Sequence, residues 1–407
     1  MTLNERFATS FAALAAIGRD PDTGGYRRLT WGVADKAARH WFVGEAKRLG
    51  LLIDLDRNGN VWAWWGGPGQ DAVVTGSHLD TVVDGGAFDG ALGVVSGLLA
   101  VEELQLRGVQ PRRPIGVVAF IEEEGARFGV PTLGTRLLTG TVMPGHVLAL
   151  LDAEGTMFAP AMAGAGLEPE SIGADRARLH AIDAFVELHI EQGKGLTALD
   201  AAVGVISGVW PHGRWRFDIE GRPDHAGTTR LEDRADPMLI LGDLVATARS
   251  TAHGHDARAT VGRLLVKPNA TNTIPHQVSA WLDVRAPDLA TVDAVVAEVE
   301  TVVQEAAGLA GLRVEVSRES MSDAVEFDGQ LGETLAGAVE AEGITPTALP
   351  TAAGHDAAIL SSYVRAAMLH VRNPTGISHS PIEYADPADC VAGVRVLARA
   401  LEELACR

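Results

Sequence analysis

The sequence predicts an α/β protein: a mostly parallel sheet with helices on both faces, into which a smaller ferredoxin-like α+β domain is inserted. Three observations carry this expectation. Short apolar runs at 72–75, 115–121, 184–190 and 366–371 are each followed by a polar or glycine-containing segment, the pattern of strands buried on both faces. The middle of the chain switches to strict alternation of apolar and polar residues. A length of 407 residues exceeds what one ordinary core organises, so two domains are expected.

Taken in order, Phe7, Phe11, Leu14 and Ile17 fall at helical spacing, and the N-terminal segment lacks a basic stretch and a cleavage site. It reads as a packed amphipathic helix rather than a leader. Between the first two apolar runs, Leu92, Val95 and Leu99 form one helical stripe, with Gly108 near its end. Strand, helix, strand is the α/β signature. From Gly213, Trp215, Phe217 and Ile219 alternate with Arg216, Asp218 and Glu220, as in a half-exposed antiparallel strand. A helix over 237–252 follows, then strands over 258–266 and 276–285. A second helix carries Leu289, Val292, Val295, Val299 and Val302 on one face, and a strand lies at 313–317. That order is β-α-β-β-α-β, the split ferredoxin-like unit. After about Ser322 helices and strands alternate again. The expected domains are therefore 1–208 with 323–407, interrupted by 209–322.

Composition excludes some functions. With 34 basic and 53 acidic residues the net charge is −19, which repels phosphate backbones and anionic bilayers, so neither nucleic acid nor membrane is an expected partner. No run approaches the ~18 apolar residues of a membrane span, and the cytoplasm is the expected address. Cys390 and Cys406 are the only cysteines and are far from CxxC spacing, which argues against a disulfide framework or a thiolate metal site. Any metal must be held by imidazole and carboxylate.

Those groups recur just after the apolar runs. Thr75-Gly-Ser-His78-Leu-Asp80 follows the first and leads to Gly85-Gly-Ala-Phe-Asp89-Gly90. His78 then sits at the strand end where open α/β sheets place ligands, with Asp80 placed to orient its second nitrogen. Asp89 alone would read as a helix N-cap. Glu122-Glu123-Glu124 follows the second run; adjacent carboxylates repel and favour a nearby cation, although a solvated turn would also accommodate them. His189-Ile-Glu191-Gln192-Gly193 and Asn373-Pro-Thr-Gly-Ile-Ser-His379 complete the set. His and carboxylate donors without thiolate favour zinc, manganese, cobalt or nickel over copper(I) or iron–sulfur.

Together these segments resemble the metal-dependent amidohydrolase branch of the di-zinc aminoacylase and carboxypeptidase superfamily, which includes N-carbamoyl-L-amino-acid hydrolases, β-ureidopropionases and allantoate amidohydrolases. The resemblance spans nearly the whole chain. Related peptidases usually carry an acid where this chain has His189, so the His-Ile-Glu-Gln-Gly form points to the carbamoylase branch.

The resemblance implies two divalent metal ions per chain. Asp89 would bridge them, His78 and His189 would complete one site, Glu124 and His379 the other, and Asp80 would support His78. Glu123 matches the general base. In the inserted domain, His225 matches the residue that polarises the scissile carbonyl, often from the other subunit. Asn272 and Arg285 match residues that hold the substrate carboxylate, and Gln192 another substrate contact. The implied reaction is release of the carbamoyl group from N-carbamoyl-L-amino acids, with allantoate or β-ureidopropionate as alternatives on the same core. The implied partner is a small ureido substrate with a free carboxylate, and the implied assembly is a homodimer through the inserted domain. An N-acyl amino-acid hydrolase or exopeptidase is a more distant reading, disfavoured by His189; a catalytically silent binding protein would be expected to have lost a ligand or the base. Asp224 and Arg230 stand where relatives often carry Asn and Pro, and Gly354-His355-Asp356-Ala357 resembles a family segment whose His is expected to be structural.

Overall fold

The computed structural model describes residues 1–407. The chain divides into two compact units, Met1–Gly208 with Glu326–Arg407, and Val209–Val325. In the first half of the chain the strands are β1 (Leu52–Leu55), β2 (Val61–Trp65), β3 (Ala72–His78), β4 (Ile115–Phe120), β5 (Ile182–Ile190) and β6 (Val203–Val209). The middle contributes β7 (His212–Glu220), β8 (Asp224–His225), β9 (Arg258–Lys267), β10 (Thr273–Ile274), β11 (Gln277–Arg285) and β12 (Arg313–Ser322). The last are β13 (Val325–Glu326), β14 (Ala348–Thr351) and β15 (Arg365–Val371).

The first unit is built on a nine-stranded sheet in the order β1-β2-β4-β3-β5-β15-β6-β13, with β14 also on β6. Its centre is parallel: β3 lies between β4 and β5, and β15 runs parallel to β5. The flanks are antiparallel, β1 on β2, β2 on β4 and β6 on β15. The difference follows from the connections. A helix, Ala91–Leu106, carries the chain from β3 to β4 and permits parallel pairing, whereas only a tight turn joins β1 to β2. In that turn the buried Asp56 carboxylate accepts from the Asn58 and Asn60 amides, and Gly59 takes φ 95°.

Adjacent residues of the central strands enter different cores: Val73 packs with the helix Ala91–Leu106, Val74 with Phe120, Phe185 and Trp62. Helices therefore cover both faces. The helix Ala91–Leu106 is buried from Ala91 to Glu102, not on the single stripe that Leu92, Val95 and Leu99 define, because it lies under the terminal helices Leu3–Ala15 and Pro387–Cys406 as well as on the sheet. Phe7 and Leu14 fill that contact; Ile17 lies just beyond the first helix.

The second unit has a four-stranded antiparallel sheet ordered β12-β7-β11-β9, the ferredoxin-like arrangement, and β8 pairs with β10 apart from it. The helices Pro237–Gly254 and Leu289–Leu309 pack on it, through Leu244, Val295 and Val299 against Phe217, Ile219 and Leu282. Along the second helix the buried stripe is Val292, Val295, Val296, Val299 and Val303. Val302, expected inside, is exposed, since a 3.6-residue period carries the stripe to 303 instead. No helix is long and apolar enough to cross a membrane.

Candidate metal centre

At the ends of the parallel strands His78, Asp89, Glu123, Glu124, His189 and His379 come together. β3 ends on His78, and β5 carries His189. Between them the glycine-rich loop delivers Asp89: Gly90 adopts φ +64°, and a Cβ there would lie 2.5 Å from the His78 ring, so only glycine fits. Glu123 and Glu124 leave β4 on a turn that begins with Glu122 at φ 47°. His379 comes from the loop after β15 and is also left-handed, at φ 54°.

Asp89 is the hub. Its Oδ1 lies 3.4 Å from His78 Nε2 and 3.1 Å from His189 Nε2. Its Oδ2 lies 3.4 Å from His379 Nε2, which is itself 3.4 Å from Glu124 Oε2. Two sets of three donors, His78–Asp89–His189 and Asp89–Glu124–His379, thus each converge within 4.8 Å, and each takes a different oxygen of Asp89.

The tautomers agree with a cation site. His78 Nδ1 faces the Asp80 carbonyl at 3.0 Å and His189 Nδ1 faces the Ile190 carbonyl at 2.8 Å, so each ring proton belongs on Nδ1. The Gly90 amide donates to His189 Nε2. Both Nε2 atoms also face Asp89 Oδ1, an arrangement that a proton satisfies in the metal-free protein and that a divalent ion can replace. Charge tells the same story. Burial pushes the Glu123 carboxyl up; His78 opposes this, but Asp356, Glu124 and Asp80 add to it, and the group sits well above the ordinary range. Burial and Asp89 together raise Glu124 to about 7. Burial disfavours the charged form of His78, yet Glu123, Asp89 and Asp80 outweigh it and hold the imidazole well above its usual value. This is an excess of buried negative charge without a fixed lysine or arginine among the donors, and it suits divalent ions.

Asp80 supports His78 differently from the expectation. Its backbone carbonyl meets His78 Nδ1, while the carboxylate stands 3.8 Å off and accepts from the Glu123 and Glu124 amides at 3.3 and 3.1 Å. The carboxylate is better placed on two amides of the acidic turn than on one imidazole, so it orders the acids directly. Glu122 accepts from the Arg127 and Phe128 amides and belongs to the turn, not to the donor set. Gln192 donates to Asp89 Oδ2 at 3.0 Å and to Ser378 at 3.2 Å.

The sequence reading missed three supporting residues. Glu383 accepts from the Phe88 and Asp89 amides, Ser378 donates to Glu383, and Glu187 accepts from Ser77 and the Ala357 amide. Only the proximity of Ser378 and Glu383 to His379 could have flagged the first two. His355 caps the helix Asp356–Leu360, its ring 4.5 Å from that of His189, and burial first, then His189 and His370, keep it well below the ordinary imidazole range. It is a neutral packing partner.

In the second unit, the exposed His225 and Asn272 are neighbours: Thr273 pairs with His225, and the Ala226 amide donates to the Asn272 carbonyl. His225 Nδ1 accepts from the Gly227 and Thr228 amides at 3.0 and 3.2 Å, which places its proton on Nε2. Arg285 is half-buried at the far end of β11, on the face opposite Val284, with Asp283 at 2.8 Å.

A parallel-centred α/β unit whose strand ends gather two donor triads around one shared carboxylate defines the class of metal-dependent hydrolases with paired metal positions. More particularly, the chain belongs to peptidase family M20/M25/M40, whose model matches residues 74–403. It is 34% identical to the N-carbamoyl-L-amino acid amidohydrolase of Geobacillus stearothermophilus, covering 100% of this chain and 99% of that protein. It is 30% identical to the allantoate amidohydrolase of Escherichia coli (strain K12), covering 96% of each. Among solved structures, an amidase of the hydantoinase/carbamoylase family from Burkholderia vietnamiensis matches with a TM-score of 0.88 at 31% identity, over 99% of this chain and 98% of that one.

Proposed function

We propose that the chain is a two-metal amidohydrolase that converts N-carbamoyl-L-amino acids and water to the amino acid, carbon dioxide and ammonia. The observation that carries this reading is Asp89, whose two oxygens each face a separate donor set. His78 and His189 would hold one divalent ion with Asp89; Glu124 and His379 would hold the other. Bound there, the ions would lower the pKa of an attacking water and polarise the substrate carbonyl. Zinc, manganese, cobalt and nickel all suit these donors.

The remaining steps fall to side chains. Glu123, 3.6 Å from His78 and outside both donor triads, is left to take a proton from water and return it to the departing nitrogen. His225 presents Nε2–H, a donor suited to the developing oxyanion. Arg285 offers a guanidinium fork to the substrate carboxylate, steadied by Asp283, and Asn272 and Gln192 add polar contacts. We assign the second unit to dimerisation: β9 is an edge strand, and its Leu264 and Leu265 are nearly half exposed. The acidic surface fits a cytoplasmic enzyme.

Allantoate and β-ureidopropionate would use the same core, and the 30% identity to an allantoate amidohydrolase keeps that substrate in the comparison. The deciding experiment reconstitutes the metal-free protein with each of the four ions. Ammonia release is then followed from carbamoyl-α-amino acids, β-ureidopropionate and allantoate, with N-acetyl amino acids as the contrast. Carbamoyl-α-amino acids are expected to be fastest. Cleavage of only the acetyl compounds, or of none, would overturn the reading.

A further inference from the structure

The donor loops of Asp89 and His379 are far apart in sequence, yet one buried carboxylate ties them together. Glu383 Oε1 accepts from the Phe88 amide at 2.9 Å and from the Asp89 amide at 3.0 Å. Its Oε2 accepts from Ser378 Oγ at 3.0 Å, and Ser378, adjacent to His379, stands 3.3 Å from Asp89 Oδ2. Glu383 is 5% exposed, and the loop is shaped around it: a Cβ on Gly86 would collide with its carboxylate. Gly86 does not have the positive φ that favours glycine, so close approach of Glu383 is what the missing side chain serves.

We propose that Glu383 is a positioning residue that fixes Asp89 and His379 relative to one another, and so sets the affinity for the ion held by Asp89, Glu124 and His379. The argument is mechanical. Asp89 follows a stretch that contains Gly85 and Gly86 and precedes Gly90, so its backbone has wide freedom. Two amide bonds to one oxygen remove that freedom at the residue both donor sets share. The bond to Ser378 extends the constraint to the neighbour of His379. Carboxylates behind metal ligands have this effect because a donor that must be ordered on binding binds more weakly. Glu383 itself lies outside both donor triads.

This inference rests on the two-metal reading, and the test separates the two. Metal-free wild type, Glu383→Ala, Glu383→Gln and Gly86→Ala are titrated with zinc against a chromophoric chelator, and kcat and KM are measured after loading. Far-UV circular dichroism and thermal melting of the metal-free proteins report the fold. Wild type should take two ions. Glu383→Ala and Gly86→Ala should weaken the site that includes both Asp89 and His379 by about 10- to 100-fold, and the site that shares only Asp89 by less. The loss should appear in kcat more than in KM. Glu383→Gln should recover most of the affinity, because an amide oxygen can still accept from both backbone donors. If Glu383→Ala does not fold, Gly86→Ala alone carries the comparison, since it displaces the carboxylate without removing it. Two ions bound with unchanged affinity in the folded variants would overturn the role of Glu383 and leave the two-metal reading standing. Fewer than two ions in wild type would overturn both.

Discussion

Glu123 and Glu124 are adjacent in sequence, but only Glu124 belongs to a donor triad, and that separation is testable. Glu123→Gln should lower kcat by roughly a hundred- to ten-thousandfold, the usual worth of a general base, while metal analysis still finds the wild-type ion content. Retained turnover would remove Glu123 from that role. The donor triads also predict a pH dependence of loading. In the metal-free protein Asp89 draws the His379 imidazole up to about 9, against burial and with help from Glu124, while burial and Asp89 raise Glu124 to about 7. Both must shed protons to bind a cation, so apparent affinity should climb from about pH 6 to pH 9 with proton release that shrinks over the same range. Calorimetry in buffers of different ionisation enthalpy reads both; affinity independent of pH would contradict the donor set. The residues of this set were legible in the sequence because imidazoles and acids follow apolar runs, and burial at a strand end is what turns a polar residue into a candidate. Glu383 carries no such mark. It lies in a loop, and its importance comes from two backbone amides nearly 300 positions away, which no local pattern records.

The helix Ala91–Leu106 sets how closely the donors can gather, because it packs directly on β3 and β5. Gly93 makes that approach possible: a Cβ there would run into the Leu188 carbonyl, the residue before His189, and would lie 2.9 Å from Ser77, the residue before His78. A backbone carbonyl in the middle of a parallel sheet cannot retreat without shifting its strand. Gly93→Ala should therefore cost about 1–3 kcal/mol despite alanine's better helix propensity, and should weaken metal binding, whereas an exposed helical glycine would gain from the same change. Urea unfolding of the metal-free protein checks the first effect, and a neutral or stabilising result would show that the helix does not clamp the site. The sequence marked this helix but suggested one apolar stripe; burial on nearly all sides became visible only with the two terminal helices in place. The antiparallel flanks of the sheet were equally hidden. Buried strands of either direction read as apolar runs, and direction is decided by the connection, such as the Asp56 turn that folds β2 back on β1.

On the scale of the whole molecule, the second unit carries Arg285 at one end of its four-stranded sheet and His225 and Asn272 at a separate β8–β10 pair reached from the other end. Arg285 closes β11 beside His212 and Arg258, whereas Gln277, at the other end, pairs with Glu220 and Lys267, from which the chain leads into the His225 and Asn272 segments. Nine residues of antiparallel strand span roughly 27 Å, several times the length of a carbamoyl amino acid, and that span separates Arg285 from the strand end at which the His225 and Asn272 segments begin. If His225 and Arg285 act on the same substrate molecule, that separation favours their coming from two chains, which would give the exposed edge at β9 a functional reason to pair. At substrate concentrations well below KM, His225→Ala and Arg285→Ala should each be nearly inactive alone, Arg285→Ala mainly through lost affinity for substrates that carry a free carboxylate. Co-expressed with separate tags and purified as the mixed dimer, they should regain activity, because one of the two sites then combines an intact Arg285 with an intact His225. A random mixture, half of it mixed dimers, should recover about a quarter of wild-type turnover under this two-fold symmetry. Activity no greater than the sum of the two single variants would mean that both groups serve the same chain, and the geometry of β11 would then have to be reconciled with a different role for one of them.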